Sequence, residues 1–90
     1  MAYRIDLVRS VVKELDKLSA KTHNRIVAHL RKLEQNPRIP GAEKLSGIDS
    51  YKLRVGNYRI VYEINDHERV VRVVMVDDRK QVYQRLRRKR

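Results

Sequence analysis

The chain has 90 residues, the size of one small domain, so we expect a single domain over 1–90. It contains no cysteine, which excludes disulfide bridges and thiolate metal sites, and no apolar run approaches the roughly 18 residues of a membrane span. Lys and Arg number 22 against 11 Asp and Glu, and the net charge of +11 fits nucleic acid, an anionic membrane surface or an acidic protein. The N-terminus lacks the pattern of a signal peptide, so we expect a cytoplasmic protein.

The first half of the chain predicts a short strand followed by a helical hairpin. Residues 3–7 alternate as a strand does, and the apolar residues at 8, 11, 12, 15 and 18 have the spacing of one helix face. Ser19 is suited to cap a second helix, which is expected to end at Asn36-Pro37. That helix turns four apolar side chains inward: Ile26, Val27, Leu30 and Leu33.

The second half predicts antiparallel strands, because the apolar period changes from helical spacing to two after a Pro- and Gly-containing loop with one short strand near 43–45. The segments that follow are a strand over 51–55, a glycine turn at 56–57, a strand over 58–64, a turn at 65–68, a strand over 69–76 and a last helix over 81–88. Together the elements predict an α+β fold: a two-helix N-terminal hairpin packed on a mainly antiparallel four-stranded sheet, with a short C-terminal helix.

A two-residue turn at 56–57 sets which side chains share a face of this sheet. It pairs Arg54 with Arg59 and Lys52 with Val61, and side chains alternate between the two faces along each strand. One face is then apolar: Leu53, Val55, Tyr58, Ile60, Tyr62, Ile64, Val71, Val73 and Met75. The opposite face is basic: Lys52, Arg54, Arg59 and Arg72.

The pairing of Arg54 with Arg59 is the most informative feature of the basic face. Like charges directly opposite each other destabilise a sheet, so an ordinary solvated face has no need of this pair. Planar guanidinium groups in this arrangement are suited to hold phosphate jointly. Arg79 follows the last strand and Tyr83 lies one turn later, where loops and strand ends commonly carry function. The basic run over 85–90 is either a further contact or a solvated terminus.

These residues resemble the RelE/ParE superfamily of toxin–antitoxin modules along the whole chain. The likeness lies in Lys44-Leu45-Ser46-Gly47, in the segment 51–62 with its Arg-x-Gly-x-Tyr-Arg core, and in the ending Val76-x-x-Arg79-x-x-Val82-Tyr83. The Arg-x-x-Val-Tyr ending favours the RelE branch, whose members are ribosome-dependent mRNA endonucleases. ParE-type members share the scaffold and poison gyrase.

The resemblance implies a role for each of five candidate catalytic residues. Lys52 and Arg54 become active-site cations, and Arg59 becomes a ligand of the scissile phosphate. Arg79 becomes a candidate general acid, and Tyr83 a base or a base-stacking platform, with Lys52 as the other candidate base. Five further residues are expected to contact RNA or the ribosome: Arg72, Lys80, Arg85, Arg87 and Arg88.

The reaction implied by this set needs no metal and no cofactor, because the substrate's own 2′-hydroxyl can attack the phosphate. His23 and His29, six residues apart on one helix, cannot face one metal, and His67 sits in a turn. The expected partners are a cognate RelB-like antitoxin and mRNA in the ribosomal A site, with operator DNA bound only through the antitoxin complex and with no membrane. Asp77-Asp78 departs from the Gly-His or Gly-Lys of many relatives and adds negative charge beside Arg79.

Two alternatives to an mRNA endonuclease remain open at this point. The first is a gyrase-poisoning toxin on the same scaffold, against which the complete set of basic and tyrosine residues argues. The second is a nucleic-acid-binding domain without enzymatic activity, which the net charge and the basic terminus alone would explain.

Overall fold

Two helices and five strands make up residues 2–45 and 50–78, the part of the chain that this computed structural model describes. In chain order they are β1 (Arg4–Leu7), α1 (Arg9–Asp16), α2 (Ala20–Gln35), β2 (Glu43–Lys44), β3 (Ser50–Val55), β4 (Tyr58–Asn65) and β5 (Val70–Asp78). The helix predicted over 81–88 lies outside the described residues. Neither helix in the described ranges is long and apolar enough to cross a membrane.

The strands form one mixed sheet in the order β1-β5-β4-β3-β2. β1 pairs with β5 in parallel, and all the other neighbours are antiparallel. The α+β class is therefore confirmed, but the prediction of a four-stranded sheet is wrong, because the short strand predicted near 43–45 joins it as β2, a fifth strand at the edge beside β3. The parallel pairing of β1 with β5 joins segments far apart in sequence, which local periodicity cannot reveal.

Both helices contribute to a core on one face of the sheet, which we call the inner face. Ser19 caps α2 as predicted: its hydroxyl oxygen accepts a hydrogen bond from the amide of Thr22 at 3.3 Å. The helix ends at Asn36, before Pro37. The helical residues buried in this core are Val11, Leu15, Ile26, Leu30 and Leu33. Val12, expected on the buried face of α1, is instead 44% exposed.

The β3–β4 hairpin has the register that its sequence predicts, with Arg54 opposite Arg59 and Lys52 opposite Val61. Gly56 opens the turn with a φ of +60°, which a side chain rarely adopts and which a hairpin turn beginning with glycine requires. This rigid hairpin places the guanidinium-bearing residues on the face away from the helices.

A bulge breaks the pairing of β4 with β5 and changes which side chains share a face. Tyr62 lies opposite Val73 but Val61 lies opposite Met75, so that β5 has one extra residue at 74. Met75 consequently joins the basic face, and the prediction that it packs toward the helices is wrong. The turn spans 66–69 rather than 65–68, and β5 continues to 78 instead of ending at 76.

Candidate nucleic-acid interface

The face of the sheet away from the helices, here called the outer face, is built in rows across β3, β4 and β5. The row nearest the Gly56 turn contains Arg54, Arg59 and Asp77, each directly opposite its neighbour. Arg54 is exposed, and its Nε donates to the Gly56 carbonyl at 3.4 Å. Arg59 is only 5% exposed and Asp77 only 4%. Arg54 therefore presents the accessible guanidinium of this row, and Arg59 the buried one.

The next row combines a cation with an apolar patch. Lys52 lies opposite Val61, which in turn lies opposite Met75. The Nζ of Lys52 is 3.5 Å from a carboxylate oxygen of Glu43 on the edge strand β2, and its side chain is 15% exposed. Val61 and Met75 are buried at 1% and 5% and pack with Leu45. Lys52 and the arginines of the first row form what we call the cationic cluster: Lys52, Arg54 and Arg59.

Arg72 lies on the outer face as predicted, but it is separated from the cationic cluster. It pairs with Glu63 on one side and with Asp6 on the other. Glu63 is four positions along β4 from Arg59, which corresponds to about 13 Å along the strand. Two carboxylates flank Arg72, so this row does not extend the positive surface.

The other predicted site residues fall outside the described ranges. The two catalytic candidates among them are Arg79 and Tyr83, and the RNA-contact candidates are Lys80, Arg85, Arg87 and Arg88. β5 runs directly into this segment from Asp77 and Asp78. The described part of the site therefore consists of the cationic cluster and the acidic residues beside it.

Two acidic neighbours of the cluster were missed from sequence. Asp77 was placed beyond the last strand, although it lies within β5 and opposite Arg59. Glu43 was assigned to a short edge strand whose register was not predicted, and it lies opposite Lys52. Counted together, three cations and two carboxylates leave a formal charge of +1, enough to attract a phosphate group. No local pattern in the sequence marks the bulge that brings Asp77 opposite Arg59.

The clearest titration shifts of the described residues lie at the Asp66 end of the sheet and on its inner face. Hydrogen bonds from Arg38 and from Tyr3 lower the pKa of Asp66 to about 2. Burial raises the pKa of Tyr62 to about 12, and its hydroxyl donates to the Pro37 carbonyl at 2.7 Å. These groups hold the fold together and lie away from the cationic cluster. The described ranges contain no group of three His, Asp or Glu residues arranged as metal ligands.

Comparison with known proteins identifies relatives of the whole sheet and both helices. The model of a family described as the ParE toxin of the type II toxin–antitoxin system, parDE, matches residues 5–83. The mRNA interferase toxin RelE of Escherichia coli is 38% identical over 88 residues, which cover 92% of this chain and 92% of that protein.

Solved structures of similar proteins agree with these relatives. A mutant of the E. coli toxin RelE in the free state superposes with a TM-score of 0.80 and 31% identity, covering 99% of this chain and 98% of that one. The archaeal RelE–RelB complex from Pyrococcus horikoshii superposes with a TM-score of 0.80 and 30% identity, covering 90% of this chain and 99% of that one. The intact E. coli RelBE toxin–antitoxin complex superposes with a TM-score of 0.78 and 30% identity, covering 88% of this chain and 99% of that one.

Proposed function

The chain belongs to the RelE/ParE superfamily of type II toxin–antitoxin toxins, on its RelE-like branch, and we propose that it inhibits translation as a ribosome-dependent mRNA endonuclease. The observation that carries this proposal is the cationic cluster on the adjacent strands β3 and β4. Its register places Arg54 directly opposite Arg59 on one face of the sheet. The chain is also 38% identical over 88 residues to the mRNA interferase toxin RelE of E. coli.

In the proposed reaction the 2′-oxygen of the substrate attacks the adjacent phosphorus, and the bond to the 5′-oxygen breaks. The products are a 2′,3′-cyclic phosphate and a 5′-hydroxyl. Lys52, Arg54 and Arg59 neutralise the charge that builds on the phosphate oxygens. A base takes the 2′ proton and an acid delivers a proton to the leaving 5′-oxygen, the roles that the resemblance gives to Tyr83 and Arg79.

We assign Lys52 an electrostatic role in this reaction in preference to the role of base. A carboxylate oxygen of Glu43 is 3.5 Å from its ammonium, a geometry that suits a cation. Positioning by the ribosome then supplies much of the rate, because a cluster of cations with few proton-transfer groups is poorly equipped to cut free RNA.

The proposal includes the partners and the setting of the protein. RelE proteins of E. coli and of P. horikoshii have been solved in complex with RelB, and we propose a RelB-like cognate antitoxin for this chain, through which operator DNA is bound. The substrate is mRNA in the A site of cytoplasmic ribosomes. Arg72, Lys80, Arg85, Arg87 and Arg88 are proposed to contact RNA or the ribosome.

Mapping of mRNA 5′ ends in a translating extract tests the proposal. Wild-type protein is expected to cut within the codon in the A site, and Arg54→Gln is expected to cut at least about 100-fold more slowly, the usual loss for one charge-stabilising donor. Arg4→Gln, which removes an exposed arginine of the same outer face on β1, is the matched control and is expected to cut normally. Intact mRNA with wild-type protein would reject the proposed function.

The match to the ParE family model supports one alternative, a gyrase inhibitor. It predicts loss of supercoiling activity by purified gyrase in the presence of the protein, with mRNA left intact. Inhibition of gyrase without cleavage in the translating extract would establish this alternative.

A further inference from the structure

Each of two cations in the cationic cluster has a carboxylate of the same chain beside it. We propose that Glu43 and Asp77 are internal counter-ions that compete with RNA phosphates for Lys52 and Arg59, and so weaken the binding of RNA that is not held in place. The inference rests on the proposed function, since it concerns how the same cluster selects its substrate.

The register of the sheet places Asp77 directly opposite Arg59. Residues directly opposite on neighbouring strands have Cβ atoms about 5 Å apart and side chains on the same face. Arg59 is 5% exposed and Asp77 4%, so both side chains are largely shielded from water. Charges interact more strongly where water is excluded. The amide of Asp78 donates to Oδ1 of Asp77 at 2.8 Å, which restrains the carboxylate.

Glu43 competes with phosphate for Lys52 in the same way, but its side chain is less constrained. One of its carboxylate oxygens is 3.5 Å from the Nζ of Lys52, yet its side chain is 72% exposed. It stands on the two-residue edge strand β2, so rotation of its side chain alone moves the carboxylate into water. An arriving phosphate can therefore replace Glu43 beside Lys52 at little structural cost.

The two carboxylates determine the order in which the cations of the cluster contact an RNA phosphate. Arg54 is exposed and has no carboxylate opposite it on β4, so we expect it to make the first contact with a phosphate. Lys52 then binds the phosphate by exchanging Glu43 for it, and Arg59 binds it against the opposing charge of Asp77. RNA that a ribosome positions can drive this exchange, whereas for freely diffusing RNA the two carboxylates lower the formal charge of the described part of the site from +3 to +1.

Binding of a short RNA whose 2′-hydroxyls are methylated tests the inference without cleavage. Fluorescence anisotropy with the full chain is measured for wild type, Glu43→Gln and Asp77→Asn at low and at physiological salt. The matched controls are Glu68→Gln, in the β4–β5 turn, and Asp6→Asn, on the outer face two strands from Arg59. Asp6 is about 10 Å or more from Arg59, beyond the Debye length of about 8 Å at physiological salt.

We expect Glu43→Gln to lower Kd about twofold to fivefold and Asp77→Asn about fivefold to tenfold, with each control changing it less than about twofold. Equal effects at the control positions, or weaker binding by Glu43→Gln, would overturn the inference. Glu43→Gln decides the outcome alone if Asp77→Asn does not fold, because Glu43 is exposed. Tighter binding by Glu43→Gln without cleavage of ribosomal mRNA would reject the proposed function alone. Cleavage with unchanged affinity would reject the inference alone.

Discussion

Arg38 and Asp66 form a two-pronged ion pair that joins the segment after α2 to the β4–β5 turn. Nη1 donates to Oδ1 at 3.0 Å and Nη2 to Oδ2 at 2.8 Å. Tyr3 donates to the same Oδ1 at 2.6 Å, and Arg38 also donates from Nε to the hydroxyl of Tyr51. These hydrogen bonds therefore tie four separate parts of the chain together at the end of the sheet opposite the Gly56 turn.

We predict that Asp66→Asn destabilises the protein at neutral pH and that the loss disappears in acid. The hydrogen bonds from Arg38 and Tyr3 lower the pKa of Asp66 from 3.8 to about 2. A group whose pKa is lowered by folding stabilises the protein above its unfolded pKa, and this stabilisation is lost as the pH falls through the folded value. The gap between the urea midpoints of wild type and variant should close between pH 3.8 and about pH 2.

Asp6→Asn is the matched control for this prediction. Asp6 pairs with Arg4, also exposed, but the two residues are only two apart in sequence and tie nothing distant together. We expect it to move the urea midpoint at neutral pH less than Asp66→Asn does. An equal shift for the two variants would contradict a special role for Asp66.

Tyr62→Phe is expected to lower the free energy of unfolding by about 1–2 kcal/mol. Tyr62 is fully buried, and its hydroxyl donates to the carbonyl oxygen of Pro37 at 2.7 Å. Without the hydroxyl, that carbonyl loses its partner inside the protein. Tyr51→Phe, at the half-buried ring stacked on Tyr62, serves as the control and should cost less. Urea denaturation measures both, and an equal cost would contradict the assignment.

Gly56→Ala is expected to destabilise the hairpin by about 1–2 kcal/mol, because a φ of +60° strains any residue with a Cβ. The new Cβ would also approach the Arg25 guanidinium to 3.3 Å. Asn57→Ala, at the exposed second turn position where φ is not positive, should cost less than about 0.5 kcal/mol. A Gly56→Ala protein as stable as wild type would show that the turn is not constrained as described.

The variants Lys52→Arg and Lys52→Gln distinguish two roles for Lys52: a cation that neutralises phosphate charge, and a general base. If Lys52 neutralises phosphate charge, Lys52→Arg keeps cleavage within about tenfold of wild type, whereas Lys52→Gln cuts about 100-fold more slowly. Arginine is protonated at neutral pH and cannot accept a further proton, and glutamine is not basic, so a base at this position is lost in both variants. Initial rates in the translating extract distinguish the two roles, and equal losses would identify Lys52 as the base.

Local sequence signals predicted the parts of the fold that depend on neighbours in the chain. The Gly56-Asn57 turn set the register that brings Arg54 opposite Arg59, and Ser19 marked the start of α2. In each case a turn or capping residue determines the backbone within a few positions of itself.

Features that depend on distant pairing were not predictable in the same way. The bulge in β5 places Met75 on the outer face. This was not predicted, because the sequence of 70–78 is apolar enough to fit either register. The same bulge placed Asp77 beside Arg59. Arg38 and Asp66 are 28 residues apart, and no period in the sequence relates them. The charge of the candidate site was therefore overestimated from sequence, because its carboxylates come from β2 and the end of β5.

Replacing a single 2′-hydroxyl tests most directly whether this protein cuts mRNA by attack of the substrate on itself. Ribosomes are stalled with an mRNA that carries a 2′-deoxynucleotide at the position cut in the unmodified message, and 5′ ends are mapped after addition of the protein. We predict that the modified message stays intact while the unmodified one is cut to leave a 2′,3′-cyclic phosphate. Cleavage of both messages at the same rate would contradict it.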